Sequence, residues 1–189
     1  MVAGDASATT FGRAQRYIAE RVTEALDRLD PAAVSAAVGI LAKAPSIFVY
    51  GAGRSGIIGR AFAMRLVQLG LTAYVIGESV TPIVRRGDAV FILSGRGESS
   101  SSIQTANIVR REGAELVVFT ARASSKLAHI ATALLTLDFP EDAERPRFAP
   151  LGTLFESASL RLTDAIVAEL LTVRGESEES MRRRHAIMV

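Results

Sequence analysis

The feature that most constrains the fold is a short apolar segment that runs directly into a glycine-rich turn. Residues 46–50 (SIFVY) are apolar and partly β-branched, and a proline and a glycine bound them, which is typical of a buried strand. The turn GAGRSG at 51–56 follows, and the next apolar residues recur at helical spacing: Phe62, Leu66 and Leu69. The pattern predicts a strand, a tight turn and a helix over 57–69.

The same alternation continues along the chain. The apolar patterns predict four more strands, over 72–76, 89–93, 115–120 and 133–137. They predict further helices over 11–29, from Pro31 to Pro45, and over 101–112, 126–129 and 154–173. Strands and helices that alternate with short connections form a parallel sheet with helices against it. We therefore expect an α/β fold, a doubly wound five-stranded parallel sheet with helices on both faces.

Length and composition fit one domain. A chain of 189 residues, 49% hydrophobic and 22% charged, can bury a substantial core. Residues 1–10 are small and polar and are expected to fray, so a single domain is predicted over 11–189, with a charged C-terminal tail. The sequence holds no apolar run of the roughly 20 residues that span a membrane, and no basic and apolar leader. A cytoplasmic protein without a membrane partner is expected.

Scarce residue types exclude several kinds of chemistry. The chain has no cysteine, which excludes disulfides, thiolate metal sites and cysteine nucleophiles. It has only two histidines, which excludes a histidine-rich metal centre. A net charge of +2 is too balanced to indicate a nucleic-acid partner. We expect chemistry carried by oxygen and nitrogen groups without a metal.

Two polar loops are predicted at the carboxyl edge of the sheet, where ligands bind in such folds. The loop SGRGESSSS at 94–102 holds five serines among nine residues and opens a helix, so its hydroxyl groups and the backbone N–H groups of 95–99 suit a small phosphate. Ser55 in the first loop adds a hydroxyl. Two alternatives stay open. Such residues also simply cap helices, and GAGRSG fits a dinucleotide site, although Glu78 matches the required acidic residue only loosely.

These loops belong to a set of motifs by which the sequence resembles the sugar isomerase (SIS) domain family, and within it the 6-phospho-3-hexuloisomerases. The resemblance covers about residues 32–185. It rests on GAGRSG at 51–56, RAFAMRL at 60–66, GESVTP at 77–82, SGRGESSSS at 94–102, PLGTLFE at 150–156 and a near-terminal Arg-His at 184–185. One position departs from the family pattern, because Arg96 stands where serine is common.

The resemblance implies isomerisation of a sugar phosphate, between D-arabino-3-hexulose 6-phosphate and fructose 6-phosphate, in formaldehyde fixation by the ribulose monophosphate route. It also implies a homo-oligomer, a tetramer in similar enzymes, that uses no metal and no organic cofactor. The expected substrate-binding residues are Arg54, Ser55, Ser94, Gly95, Arg96, Gly97, Glu98 and Ser99. An arabinose 5-phosphate isomerase and a non-catalytic phosphosugar sensor remain alternatives.

The candidate catalytic residues are Glu156 and His185. Moving a carbonyl between neighbouring carbons needs a base that carries a proton from one carbon to the other. Glu156 lies in an apolar segment and matches the family's catalytic glutamate, but Thr153 and Glu156 also have the spacing of a capping box, so that role stays open. The resemblance implies that the segment bearing His185 packs into a neighbouring subunit's site. His129 is expected to be structural.

Overall fold

A sheet of five parallel strands forms the centre of the computed structural model, which describes residues 9–187. The strands are β1 (Ile47–Gly51), β2 (Ala73–Val75), β3 (Ala89–Leu93), β4 (Glu115–Thr120) and β5 (Ala133–Thr136), in the spatial order β2-β1-β3-β4-β5. The helices are α1 (Thr10–Leu26), α2 (Pro31–Lys43), α3 (Arg54–Gln68), α4 (Ser100–Glu112), α5 (Lys126–Ile130), α6 (Arg145–Phe148), α7 (Thr153–Val173) and α8 (Glu178–Arg183). The predicted five-stranded α/β fold is confirmed.

Helices cover both faces of the sheet. Successive strand residues point to opposite sides, so a fully apolar strand needs a packing partner on each face. On one face Val49 and Phe91 share an apolar core with α1, α2, α3 and α7, and the Phe91 ring centroid lies 5.1 Å from that of Phe62. On the other face Phe48 and Ile92 pack with α4 and α5. The doubly wound arrangement follows from this division of the core.

The strand order reverses between β1 and β3, and this reversal places the two polar loops side by side. The chain steps from β1 outward to β2, and then returns past β1 to form β3 on its other side. In the parallel register Gly51 of β1 pairs with Leu93 of β3. The loops 51–56 and 94–102 therefore leave the sheet from neighbouring positions, at the switch point where such sheets bind ligands.

The N-terminal helix begins and ends at other residues than the sequence predicts. Thr9 caps α1 by accepting a hydrogen bond from the N–H of Gly12 at 3.0 Å, and the helix begins at Thr10. Helix α1 thus begins inside the segment 1–10 that was predicted to fray, and residues 1–8 lie outside the described residues. The helix ends at Leu26, not at residue 29.

Two short helices occur in segments for which the sequence predicts no helix. Helix α6 lies in the polar segment before α7, and its Phe148 is buried against Tyr17 of α1 at a ring distance of 6.0 Å. Helix α8 lies in the charged tail, where Ser177 and Ser180 form a capping box. Within residues 9–187, no helix is both long enough and apolar enough to cross a membrane.

Candidate active site

A cleft of about 760 Å³ opens at the switch point of the sheet. Its lining includes six of the residues predicted to act there: Ser55, Ser94, Gly95, Arg96, Ser99 and Glu156. Arg54 reaches the same place by contacting Glu156. The structure thus brings seven of the ten predicted residues together, and Gly97, Glu98 and His185 stand elsewhere.

Glycines make the first loop compact. Gly53 has a φ of +60°, in the left-handed region that favours glycine, and it precedes α3 as its N-cap. A Cβ on Gly56 would collide with the carbonyl oxygen of Gly51, so the chain can turn this tightly only without side chains there. The turn starts α3 at Arg54, three residues before the predicted position, and directs Ser55 into the cleft.

The second loop takes its shape from α5. The backbone N–H of Lys126 donates to Oε1 of Glu98 at 3.0 Å. Gly97 has a φ of +65° and packs so closely on Ser125 that a Cβ there would overlap the serine hydroxyl. Gly97 and Glu98 therefore face α5 and fix the conformation of the loop, while their neighbours line the cleft.

Three serine hydroxyls line the cleft, and they differ in the hydrogen bonds that they already make. Within residues 9–187, the hydroxyls of Ser55 and Ser94 make no hydrogen bond, although Ser94 is only 8% exposed. The hydroxyl of Ser99 caps α4, since it accepts from the N–H of Ser102 at 3.3 Å and donates to the Ser102 hydroxyl at 2.6 Å. Two free hydroxyl donors therefore face the cleft beside one that holds a helix.

The backbone N–H groups of the loop are likewise not all available. The N–H of Gly97 donates to the carbonyl of Ser94 at 3.1 Å, so the cradle predicted from residues 95–99 lacks this donor. The N–H groups of Gly95, Arg96 and Ser99 have no acceptor within the described residues. They lie just ahead of α4, where the helix dipole adds a positive potential, so the loop remains suited to an anion.

Glu156 lies in the fourth position of α7, and this rules out the capping box. The N-cap is Gly152, the Thr153 hydroxyl donates to the carbonyl of Pro150 at 2.6 Å, and the Glu156 side chain caps nothing. The alternative role of Glu156 as an N3 cap is therefore wrong, because the helix begins one residue earlier than the capping box requires. The side chain is free for another role.

The Glu156 carboxylate is nearly buried and lies against one arginine. Its side chain is 15% exposed, and Oε2 lies 3.0 Å from Nε of Arg54. At that distance the two groups form an ion pair, but no N–H is directed at Oε2, which is buried and accepts no hydrogen bond within the described residues. The carboxylate thus has an unused acceptor atom at the cleft.

Four charged residues of the cleft were not predicted: Arg122, Asp138, Glu141 and Arg145. Arg122 follows the last residue of β4 by two positions, and Asp138 follows that of β5 by two. The signal that finds them is the rule that all carboxyl ends of parallel strands meet at one edge. Arg145 pairs with Glu141, whereas Arg96 and Arg122 have no acidic partner in the part of the chain described.

Helix α1 holds the outer wall of this cleft in place. Tyr17 donates to Oδ2 of Asp142 at 2.8 Å, and Arg13 pairs with Glu144 at 3.0 Å. Burial and this hydrogen bond raise the pKa of Tyr17 above its usual value, and the same bond lowers the pKa of Asp142. The Asp142 side chain also accepts from the N–H of Arg145, so it connects α1 to α6.

The two histidines lie away from the cleft of their own chain. His185 follows Arg184, whose guanidinium contacts the carbonyl of Gln68 at 3.3 Å, at the C-terminal end of α3. Because α3 has 15 residues and is about 22 Å long, and the cleft lies at its N-terminal end, His185 is remote from Glu156 within one chain. His129 is exposed on α5, where Nδ1 lies 2.7 Å from the carbonyl oxygen of Ser125.

The dinucleotide alternative finds no support in this geometry. Glu78, the acidic residue that such a site would use for a ribose, pairs with Arg60 at 2.8 Å and does not line the cleft. The glycine-rich turn instead places Ser55 beside the serine loop, residues 94–102.

Comparisons with known proteins agree with the fold. The chain is 30% identical to a 3-hexulose-6-phosphate isomerase of Methylomonas aminofaciens over 91% of this chain and 96% of the other, and 35% identical to one of Bacillus subtilis over 74% and 78%. A Methanococcus jannaschii crystal structure, from which a 3-hexulose-6-phosphate isomerase function was inferred, superposes with a TM-score of 0.76 at 28% identity, over 83% and 86%. The model of the SIS domain matches residues 40–173, and the chain belongs to the SIS domain family.

Proposed function

We propose that this chain interconverts D-arabino-3-hexulose 6-phosphate and D-fructose 6-phosphate through an enediol. The observation that carries this proposal is that the Glu156 carboxylate lines one cleft together with Ser94, Gly95, Arg96 and Ser99 of the serine-rich loop. A protein that only senses phosphosugars needs the loop but has no use for a nearly buried base beside it. Relatives that bear the name 3-hexulose-6-phosphate isomerase favour this substrate over other sugar phosphates.

The phosphate group binds at the serine loop. The free hydroxyls of Ser55 and Ser94 and the N–H groups at the start of α4 donate hydrogen bonds to its oxygens. The unpaired guanidinium groups of Arg96 and Arg122 supply positive charge beside it. At position 96, where the family commonly has a serine hydroxyl, this chain thus has a cation.

Glu156 moves the proton. Its carboxylate takes the proton from C3 of fructose 6-phosphate, and the electron pair of that C–H bond becomes the C2=C3 bond of an enediolate. The proton returns to C2, the carbonyl forms at C3, and the hydroxyl proton passes from the oxygen on C3 to the oxygen on C2. Glu156 lines the cleft and its side chain caps no helix, which suits this role, and the steps consume no electrons and therefore no redox cofactor.

Arg54 stabilises the negative charges of the reaction. Its Nε lies 3.0 Å from Glu156, and 64% of its side chain is exposed, so its remaining N–H groups are free to reach a ligand. It pairs with the carboxylate before the transfer, and it attracts the enediolate oxygen after the charge has moved there.

The proposal includes an oligomer in which His185 acts in a neighbouring subunit. The remote position of His185 within its own chain supports a role across an interface over one within the chain. The exposed apolar residues Ile57, Met64 and Val67 of α3 provide surface for contact with a second copy. We place the enzyme in the cytoplasm, as a homotetramer in the ribulose monophosphate route of formaldehyde fixation.

Hydrogen exchange tests the proposed reaction directly. The protein is incubated with fructose 6-phosphate in deuterated water, and the sugar is followed by proton NMR. We expect deuterium to enter at C3 and 3-hexulose 6-phosphate to accumulate. Arabinose 5-phosphate and ribulose 5-phosphate are tested in parallel. Exchange in these pentoses alone would indicate the arabinose 5-phosphate isomerase, and no exchange in any of them would favour the sensor.

A further inference from the structure

In the turn that leads into α7, the residue with a left-handed backbone conformation is Leu151, and the glycine is its neighbour Gly152. Leu151 has a φ of 58°, a conformation that glycine adopts easily and leucine does not. Gly152 has a φ of −89° and a ψ of 8°, which any residue can adopt. The backbone therefore does not require the glycine at 152, and another constraint must account for it.

That constraint is the Glu156 carboxylate. A Cβ on Gly152 would lie 2.8 Å from Oε1 of Glu156 and 3.2 Å from Cδ. The carboxylate thus occupies the space in which any other residue would hold its side chain. From this place it reaches Arg54 with Oε2 while staying 15% exposed.

We propose that Gly152 is a positioning residue for Glu156. By lacking a Cβ, it lets the carboxylate lie back against the first turn of α7, where Arg54 holds it at the cleft. This inference rests on the proposed function, because it assigns to Gly152 the placement of the proposed base. Leu151 accepts the strained conformation of the turn, and Arg145 supports that turn through a hydrogen bond to the Leu151 carbonyl at 3.4 Å.

The size of the displacement follows from the contact distance. An ordinary contact begins near 3.4 Å, so a Cβ at 152 moves Oε1 by about 0.6 Å or more from its present 2.8 Å. A misplacement of about 1 Å at a reacting group can cost about 10²-fold in rate. We therefore expect Gly152→Ala to lower kcat by at least about tenfold. KM changes little, because the phosphate contacts lie in the other loop.

The test compares Gly152→Ala with Gly39→Ala, a control inside α2 where a Cβ meets nothing within 4 Å. Crystal structures and steady-state kinetics are obtained for both variants. In Gly152→Ala we expect the distance between Arg54 Nε and the Glu156 carboxylate to lengthen from 3.0 Å by about 0.6 Å or more, kcat to fall and the melting temperature to stay within about 4 °C of the wild type. Gly39→Ala retains the 3.0 Å contact and full activity.

Two further variants separate this role from a structural one. Gly152→Ser carries the same Cβ with a hydroxyl that favours the N-cap, so it folds and shows the same loss of kcat. In a Glu156→Gln background, Gly152→Ala lowers the residual rate no further. An Arg54–Glu156 contact that stays at 3.0 Å in Gly152→Ala, or an unchanged kcat, overturns the inference. A wild type that exchanges no sugar proton instead overturns the proposed function, while the contact distance still tests the positioning.

Discussion

Removing the Ser94 hydroxyl separates ligand binding from stability, because this hydroxyl contributes to no bond within the described fold. Ser94 is 8% exposed and sits where β3 passes into the serine loop. Its backbone N–H donates to the Phe119 carbonyl at 3.0 Å, and that bond remains when the side chain is alanine. Ser94→Ala therefore preserves the loop and removes one donor from the cleft.

The magnitude comes from the charge of the expected partner. A hydrogen bond to a charged group contributes about 1.5–3 kcal/mol, and about 1.4 kcal/mol corresponds to a tenfold change in affinity. We expect Ser94→Ala to weaken binding of fructose 6-phosphate by about 10- to 150-fold. The free energy of unfolding stays within about 0.5 kcal/mol of the wild type, since no intramolecular bond is lost.

Two other serines of the same loop serve as comparisons. Ser99→Ala removes the N-cap of α4, and we expect it to cost about 1 kcal/mol of stability, or about 2–4 °C in melting temperature. Ser101→Ala changes an exposed serine in the first turn of α4 whose side chain makes no hydrogen bond within the described residues, and it leaves affinity and stability unchanged.

Isothermal titration calorimetry and thermal melting are measured on all three variants. The expected pattern is lost affinity without lost stability in Ser94→Ala, lost stability in Ser99→Ala, and neither in Ser101→Ala. If Ser94→Ala binds fructose 6-phosphate as tightly as the wild type, the Ser94 hydroxyl does not bind the phosphate and this prediction is refuted.

Three other perturbations have expected outcomes. Arg54→Met leaves Oε2 of Glu156 buried without its ion-pair partner. We therefore expect kcat to fall by roughly 10²-fold, and to recover partly in Arg54→Lys. Equal rates in the wild type and both variants would contradict the role of Arg54. Hydrogen bonds from Arg184 lower the pKa of Glu176 from 4.5 to about 2. The stabilisation that this pair gives to α8, which lies between the two residues, is therefore complete above pH 4.5 and is lost as the pH falls toward 2. Amide exchange across 178–184 monitors this loss, and an unchanged profile in Arg184→Gln would speak against the pair. Light scattering at micromolar concentration is expected to report a tetramer, and a stable monomer would exclude action of His185 in a second subunit.

The strands were the most predictable part of the fold. Strands β3 and β4 begin and end at the predicted residues, because their apolar, largely β-branched segments are buried on both faces and bounded by turn residues. Helix α3 was predicted three residues short, since its start lies in a glycine-rich segment that carries no apolar periodicity. Helices α6 and α8 were missed because they are too short to show a periodic apolar face.

Only those site residues that carry a signal in the local sequence could be predicted. Ser94 and Glu156 carry local signals, a serine-rich strand end and a carboxylate in an apolar segment, and both line the cleft. The contact between Arg54 and Glu156 joins residues 102 positions apart, and no local pattern indicates which arginine meets the carboxylate. The capping-box alternative was wrong for a local reason, because the turn at Leu151 and Gly152 starts α7 one residue earlier than the motif suggests.

The central claim is that the Glu156 carboxylate carries the proton, and Glu156→Gln tests it most directly. Glutamine has nearly the same shape and the side chain caps no helix, so we expect the melting temperature and the affinity for fructose 6-phosphate to stay near those of the wild type. Turnover falls by about 10²–10⁴-fold, the contribution of a positioned general base, and deuterium no longer enters the sugar at C3. A well-folded Glu156→Gln variant with near wild-type turnover and exchange would contradict the claim.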